Sequence, residues 1–238
     1  MKGGPAAAAA EHVLVLADGD APARAQLEAA WPGWDGGAGY VVAADGGARL
    51  AASLGLTIDE WVGDGDSLGA DGLAELRAAG VRTVLAPMDK EESDTELGVA
   101  AAARVPGVRQ VTILGAFGGA RIDHEIANLY LLAHPALEAL SACLLGPAAR
   151  IRVLRAPGRD GAPVELDLRG RVGDVVSLIP IDAAAGVTTR GLRYPLADED
   201  LEVGPARGLS NVRDSSTASV RVRNGRLLVI EVPATLPE

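Results

Sequence analysis

A chain of 238 residues can bury one large core or two modest ones, and with 48% apolar but only 3% aromatic residues its interior must be filled by Ala, Val and Leu. A net charge of −10 without a basic run excludes a nucleic-acid polymer as a natural partner, and no uncharged apolar run approaches the ~20 residues that a bilayer helix needs. An acidic protein still binds a polyphosphate when a divalent cation stands between carboxylate and phosphate.

The first segment, MKGGPAAAAAE (1–11), has an Ala run but no Leu-rich secretory core, and is expected to be a disordered tail. From residue 12 short apolar runs alternate with helical patterns. HVLVLA (12–17), YVVAA (40–44), EWVG (60–63), VRTVLA (81–86) and VRQVTILGA (108–116) read as strands. Between them PARAQLEAA, ARLAASLG, ADGLAELRAAG and SDTELGVAAAARV read as helices, two of them closed by Gly55 and Gly80. Val- and Leu-rich strands without clean alternation, separated by helices, predict a parallel sheet covered on both faces. After about residue 141 the pattern becomes a series of short β-rich runs, from SACLLG to RLLVIEV, with Asn224-Gly225 predicting a two-residue hairpin between the last two. The fold class expected is α/β: a parallel-sheet domain over 12–140, then a smaller all-β sandwich over 141–238. The single Cys143, in an apolar run, excludes an internal disulfide framework and fits a reducing cytoplasm.

In an open parallel sheet ligands bind beyond the carboxyl ends of the strands, and the acids of this chain stand there. Asp18, Asp45, Asp64 with Asp66, the Asp89–Asp94 loop and Asp123 each follow a strand. GDGDS (63–67) reads either as a solvated turn, since Asp and Gly are common turn residues, or as two carboxylates aimed at one side of a tight loop, a donor set suited to Mg²⁺, which takes one or two carboxylates plus water and substrate phosphate. In DKEESDTEL (89–97), Ser93 and Glu96 form a capping pattern that puts Asp94 and Thr95 in the first turn of a helix. Capping does not explain Lys90. Arg outnumbers Lys 20 to 2 in this chain, and the other lysine is Lys2, so a compact ammonium set among carboxylates points to phosphate oxygens. Gly115, Gly118 and Gly119 lie between a strand and a helix, where backbone amides can cradle phosphate, and Arg121 stands beside them. His124 reads as a helix-start or core histidine and Asn128 as a packing or capping residue. There is no GxxxxGK[ST] loop, no protein-kinase set, no GxSxG and no Cys/His cluster, so the chemistry must rest on carboxylates, a hard cation and backbone.

Taken together, ADGGA (44–48), GDGDS, DKEESDTEL, GAFGGARIDHEIAN (115–128) and GLSN (208–211) resemble the thiamine pyrophosphokinase family, across about residues 12–232. The resemblance implies an α/β nucleotide-binding domain followed by a β-sandwich, transfer of pyrophosphate from ATP to the thiamine hydroxyl with release of AMP, dependence on Mg²⁺, and a homodimer holding thiamine near the subunit interface. By position it implies Asp64, Asp66 and Asp94 as the acids that handle metal and reacting phosphates. It implies Asp45, Gly46, Gly47, Asp89, Lys90, Thr95, Gly118, Gly119, Arg121 and Asp123 on the ATP side, and Ser210 and Asn211 on the thiamine side. Glu91 and Ser93 stand where Asp and Thr are more usual in the family, Ala120 is an extra residue before Arg121, and Val212 follows Ser-Asn where Glu is common. Two rival readings are a non-catalytic nucleotide and thiamine sensor and an aspartate-based phosphatase. The phosphatase loop usually follows the first strand of its sheet, whereas GDGDS follows about the third.

Overall fold

The computed structural model describes residues 9–118 and 121–234, so Gly119, Ala120 and most of the expected tail lie outside the described residues. The chain divides into two compact units, Met1–Gly146 and Pro147–Glu238.

The first unit carries β1 (His12–Leu16), α1 (Arg24–Ala30), β2 (Ala38–Ala44), α2 (Gly47–Leu54), β3 (Glu60–Gly63), α3 (Gly69–Ala78), β4 (Arg82–Leu85), α4 (Asp94–Ala103), β5 (Gln110–Leu114), α5 (Ile122–Leu131) and β6 (Ser141–Leu145). Its strands lie in the order β6-β5-β1-β2-β3-β4 and every neighbouring pair is parallel. β1 is central, and Val13 to Leu16 have no exposed surface. Alternation along β1 divides the core. Leu14 and Leu16 meet Leu27 of α1, Leu50 and Leu54 of α2, and the indoles Trp31 and Trp34, while α4 packs across β1, β2 and β3. Helices therefore cover both faces, as the unbroken apolar runs predict. Ser93 caps α4, its hydroxyl accepting the Glu96 amide at 3.2 Å.

Two features differ from the sequence reading. Ala10, expected in the tail, is buried and donates its amide to the Pro106 carbonyl at 3.0 Å. SACLL, expected to open the second domain, is β6; it pairs in parallel with β5, so the first unit extends past residue 140 to Gly146. A short β-rich run looks the same in either kind of sheet, and only its pairing assigns it.

The second unit holds β7 (Arg150–Ala156), β8 (Val164–Arg169), β9 (Val175–Pro180), β10 (Ala184–Arg190), β11 (Glu199–Leu201), β12 (Asn211–Val212), β13 (Thr217–Val222) and β14 (Gly225–Val232). They form two antiparallel sheets, β12-β9-β14-β7 and β11-β10-β13-β8. Leu154, Leu178, Leu227 and Val229 from one meet Leu168, Val187, Val220 and Val222 from the other, so the unit is a sandwich with one core. β13 and β14 do not pair with each other, which corrects the predicted hairpin. β13 lies between β8 and β10 and β14 between β7 and β9, so Asn224-Gly225 turns the chain from one sheet to the other. Asn224 bridges to Ala185 there instead of closing a ladder.

Among the described residues no helix is long and apolar enough to cross a membrane.

Candidate active site

From β1 the chain runs outward through β2, β3 and β4, then returns to β5 on the other flank of β1. The connections leaving β1 and β5 therefore diverge and open a crevice beyond their carboxyl ends, the usual ligand position in such sheets. Main chain stitches the two strand extensions together. The amides of Ala17, Gly19 and Asp20 donate to the carbonyls of Leu114, Gly115 and Phe117, each at 2.8 Å. A cavity of about 330 Å³ lies at this point, within the size range of small-molecule sites, ~300–1,000 Å³. Asp18, Gly19, Asp45, Ser93, Asp94, Thr95, Gly115, Gly118, Arg121, His124, Glu125 and Asn128 line it.

Asp45 is the most constrained acid. It follows β2 in the left-handed region (φ 44°), a conformation Asp tolerates better than most side chains. Its amide donates to the Val62 carbonyl at 2.8 Å, and its carbonyl accepts the Trp61 indole N–H at 2.9 Å. The residue is only 6% exposed, and its Oδ1 is buried without a hydrogen bond from the described residues. A buried carboxylate oxygen left unpartnered is costly unless a ligand completes it. Carboxylate oxygens of Asp45, Asp64 and Asp66 all lie within 4.8 Å of one another. Such a gathering of hard oxygen donors, one of them orphaned, fits a divalent cation.

Hydrogen bonds fix the GDGDS loop. Asp64 Oδ1 accepts the Asp66 amide at 3.1 Å, and the Ser67 hydroxyl donates to Asp66 Oδ1 at 3.2 Å. The Asp66 amide and then the Lys90 ammonium hold the Asp64 carboxyl below its ordinary pKa. Burial pushes the Asp45 carboxyl up, against a hydrogen bond from Ser67 and with the charges of Asp94 and Asp66. Lys90 places Nζ 3.0 Å from Asp94 Oδ1 and 3.5 Å from Asp64 Oδ2, with its side chain 9% exposed. Burial opposes its charge, but the two carboxylates prevail and raise its pKa. Asp64 and Asp66 are thus clustered with Asp45, while Asp94 joins through Lys90.

The remaining expected residues divide. Thr95 and Gly118 line the cavity, although the Gly118 amide is occupied by Glu125 Oε1 at 2.8 Å. Arg121 lines it too, its guanidinium pairing with Asp123 at 2.5–2.9 Å and holding that carboxyl far below its usual range. Asp89 is exposed and does not line the cavity. Gly46 and Gly47 are buried and do not line it either. A Cβ on Gly47 would collide with the Leu16 carbonyl, so this glycine lets α2 start hard against β1. Asn128 is buried and donates to the Ala116 carbonyl at 2.8 Å, bracing the loop after β5. His124, read as a helix-start or core histidine, is exposed on the cavity wall.

Sequence reasoning gave no role to Glu125, which seals Gly118, or to Arg49, which binds Asp18 and the Ser67 carbonyl. Their partners are too far along the chain to form a motif.

In the second unit Ser210 is exposed at φ 57°, its amide held by the Ser177 hydroxyl at 3.0 Å. Asn211 is buried. Its side-chain amide donates to the Tyr194 carbonyl at 2.6 Å, and its Oδ1 accepts the amides of Tyr194 at 3.0 Å and Val212 at 2.9 Å. Asn211 therefore braces the Tyr194 loop with its whole functional group, while Ser210 presents its side chain to solvent.

A family model described as thiamin pyrophosphokinase, catalytic domain, matches residues 34–144, and one described as thiamin pyrophosphokinase, vitamin B1 binding domain, matches residues 163–227. Among solved structures, a thiamine pyrophosphokinase from Bacillus subtilis aligns with TM-score 0.75 at 22% identity, over 94% of this chain and 99% of that one. A thiamin pyrophosphokinase family protein from Enterococcus faecalis gives 0.74 at 24% identity, over 93% and 98%. Thiamin pyrophosphokinase from Candida albicans gives 0.71 at 16%, over 94% and 89%. At these identities the likeness establishes the fold. No curated protein matches the chain by sequence. The two matched domains, in order on a chain that folds in this way, show that it belongs to the thiamine pyrophosphokinase family of enzymes.

Proposed function

We propose that this chain transfers pyrophosphate from ATP to the hydroxyl of thiamine, giving thiamine diphosphate and AMP, and depends on Mg²⁺. The observation that carries the proposal is the Asp45–Asp64–Asp66 cluster, in which Asp45 lines the cavity at the β1/β5 crevice and its buried Oδ1 has no hydrogen bond from the described residues. These three acids would hold Mg²⁺, with Asp94 close by on the other side of Lys90. Bound there, the cation supplies charge neutralisation and a clamp on the polyphosphate oxygens.

The chain's own groups do the rest. Lys90, pinned between Asp64 and Asp94, is a fixed positive charge for phosphate oxygens. Arg121, more than half exposed, turns from Asp123 to the phosphates. Thr95 and the glycines after β5 shape the nucleotide side. Ser210, held in place through Asn211 and Ser177, contacts thiamine. Pre-set charge and position, with no covalent intermediate on the protein, are what phosphoryl-type transfer requires. We also propose a homodimer, supported by exposed Ile122, Ile126 and Tyr130 along one side of α5, working in a reducing cytoplasm, which suits the single free Cys143.

The test is incubation of purified protein with ATP, Mg²⁺ and thiamine, with a thiamine-free control. Equal amounts of AMP and thiamine diphosphate are expected, and none without thiamine or in EDTA. ADP as the product would overturn pyrophosphoryl transfer. Binding of both substrates without product would identify a sensor, and phosphate release from simple phosphoesters without ATP would identify a phosphatase.

A further inference from the structure

Arg49, on the first turns of α2, reaches two other strand-end loops at once. Its Nη2 donates to both carboxylate oxygens of Asp18, at 2.8 and 2.9 Å, and its Nη1 donates to the Ser67 carbonyl at 3.1 Å. Asp18 follows β1 and lines the cavity. Ser67 closes the loop after β3, and its hydroxyl donates to Asp66 Oδ1 at 3.2 Å. One planar guanidinium therefore joins the ends of β1 and β3 from a helix that starts where β2 ends. An ammonium cannot span both partners in that way, because only the rigid fork offers parallel donors at fixed spacing.

The pair is largely solvent-exposed, with side chains 57% and 46% accessible, so it adds little to stability. Its geometry has the larger consequence. Without Arg49 the Ser67 carbonyl loses its donor, and the hydroxyl that orients Asp66 is anchored only by its own loop. We infer that Arg49 is a positioning residue that sets the metal-binding geometry of Asp66 by clamping Ser67 against Asp18. This rests on the reading of Asp45, Asp64 and Asp66 as a metal seat. Groups that orient metal ligands from outside the coordination shell change metal affinity by roughly 10–100-fold when removed.

The experiment titrates Mn²⁺ into the protein without nucleotide, reading free Mn²⁺ by electron paramagnetic resonance, for wild type, Arg49→Met and Arg49→Lys. Arg49→Met is expected to weaken Mn²⁺ binding by roughly 10–100-fold and to raise the Mg²⁺ concentration for half-maximal AMP formation by a similar factor. The KM for thiamine and the metal-free melting temperature should stay near wild type. Arg49→Lys keeps the charge but not the fork, and should fall between. Wild-type Mn²⁺ affinity in Arg49→Met overturns the inference while leaving the metal seat intact. If that variant fails to fold, wild-type affinity in Arg49→Lys overturns it equally. A wild-type chain that binds no Mn²⁺ removes the metal seat itself and the inference with it.

Discussion

Asp45 shows how far one residue can be set against stability. It occupies a left-handed backbone position, is buried, has no hydrogen bond to Oδ1 from the described residues and lies beside Asp64 and Asp66. Burial and the neighbouring charges raise its pKa, so the folded chain binds this proton more tightly than the unfolded chain. The contribution to stability is therefore fully present below the ordinary value of 3.8 and is lost as the pH climbs through the raised one. At neutral pH without metal, Asp45→Asn should make the protein more stable, by about 1 kcal/mol, the order gained when a strained functional site is relieved. In Mg²⁺ the ranking should invert, because wild type gains binding energy that the variant lacks, and AMP formation by the variant should fall by orders of magnitude. Paired melts in EDTA and Mg²⁺ check both halves. A variant less stable than wild type in EDTA would show that the carboxylate is satisfied without a cation. The sequence marks Asp45 as a strand-end acid, the family resemblance puts it on the nucleotide side with Asp94 among the metal acids, and the proposed seat adds Asp45 to Asp64 and Asp66. Nothing in ADGGA reveals that Trp61 and Val62, on the next strand, turn this carboxylate toward Asp64 and Asp66.

Elements were legible where period and caps agreed. β1 to β5 fell on the apolar runs, and α4 began one residue after the Ser93 cap. Two assignments shifted because pairing is a non-local property. SACLL has the composition of a strand but carries no mark of its parallel partner β5. Asn224-Gly225 encodes a tight change of direction without stating whether the next strand stays in the same sheet. Helix α5 carries the opposite kind of signal, one that only exposure in the structure reveals. Ile122, Ile126 and Tyr130, four residues apart in turn, are 66%, 49% and 59% exposed. Side chains at that spacing form one stripe, and apolar area left open on a helix face favours burial by another chain. In the proposed homodimer this stripe is covered, so Ile126→Asp should convert the dimer to a monomer at micromolar concentration while far-ultraviolet circular dichroism stays unchanged. Light scattering behind size exclusion reads the mass directly. A variant that remains dimeric would place the interface elsewhere.

At the scale of the whole molecule, charge sets what the cavity can accept. The chain carries −10 overall, and the cations around the crevice are already engaged: Arg49 with Asp18, Lys90 with Asp64 and Asp94, and Arg121 with Asp123. A bare polyphosphate approaching this rim meets paired cations and a surplus of carboxylates, with a repulsive potential of the order of several kT. ATP in EDTA should therefore bind at least about tenfold more weakly than in Mg²⁺, a difference of ~1.4 kcal/mol or more. The dependence on salt separates this account from a generic weak site. Without metal the net interaction is repulsive, and added salt that shortens the screening length below ~10 Å should strengthen ATP binding. With Mg²⁺ between carboxylate and phosphate the interaction is attractive, and the same salt should weaken it. Calorimetric titration of ATP at low and high NaCl, with and without Mg²⁺, reads both signs. Equal affinity in EDTA and Mg²⁺ would mean that Lys90 and Arg121 leave their carboxylates for the phosphates without help, and would move the metal's part from holding the nucleotide to the transfer step alone.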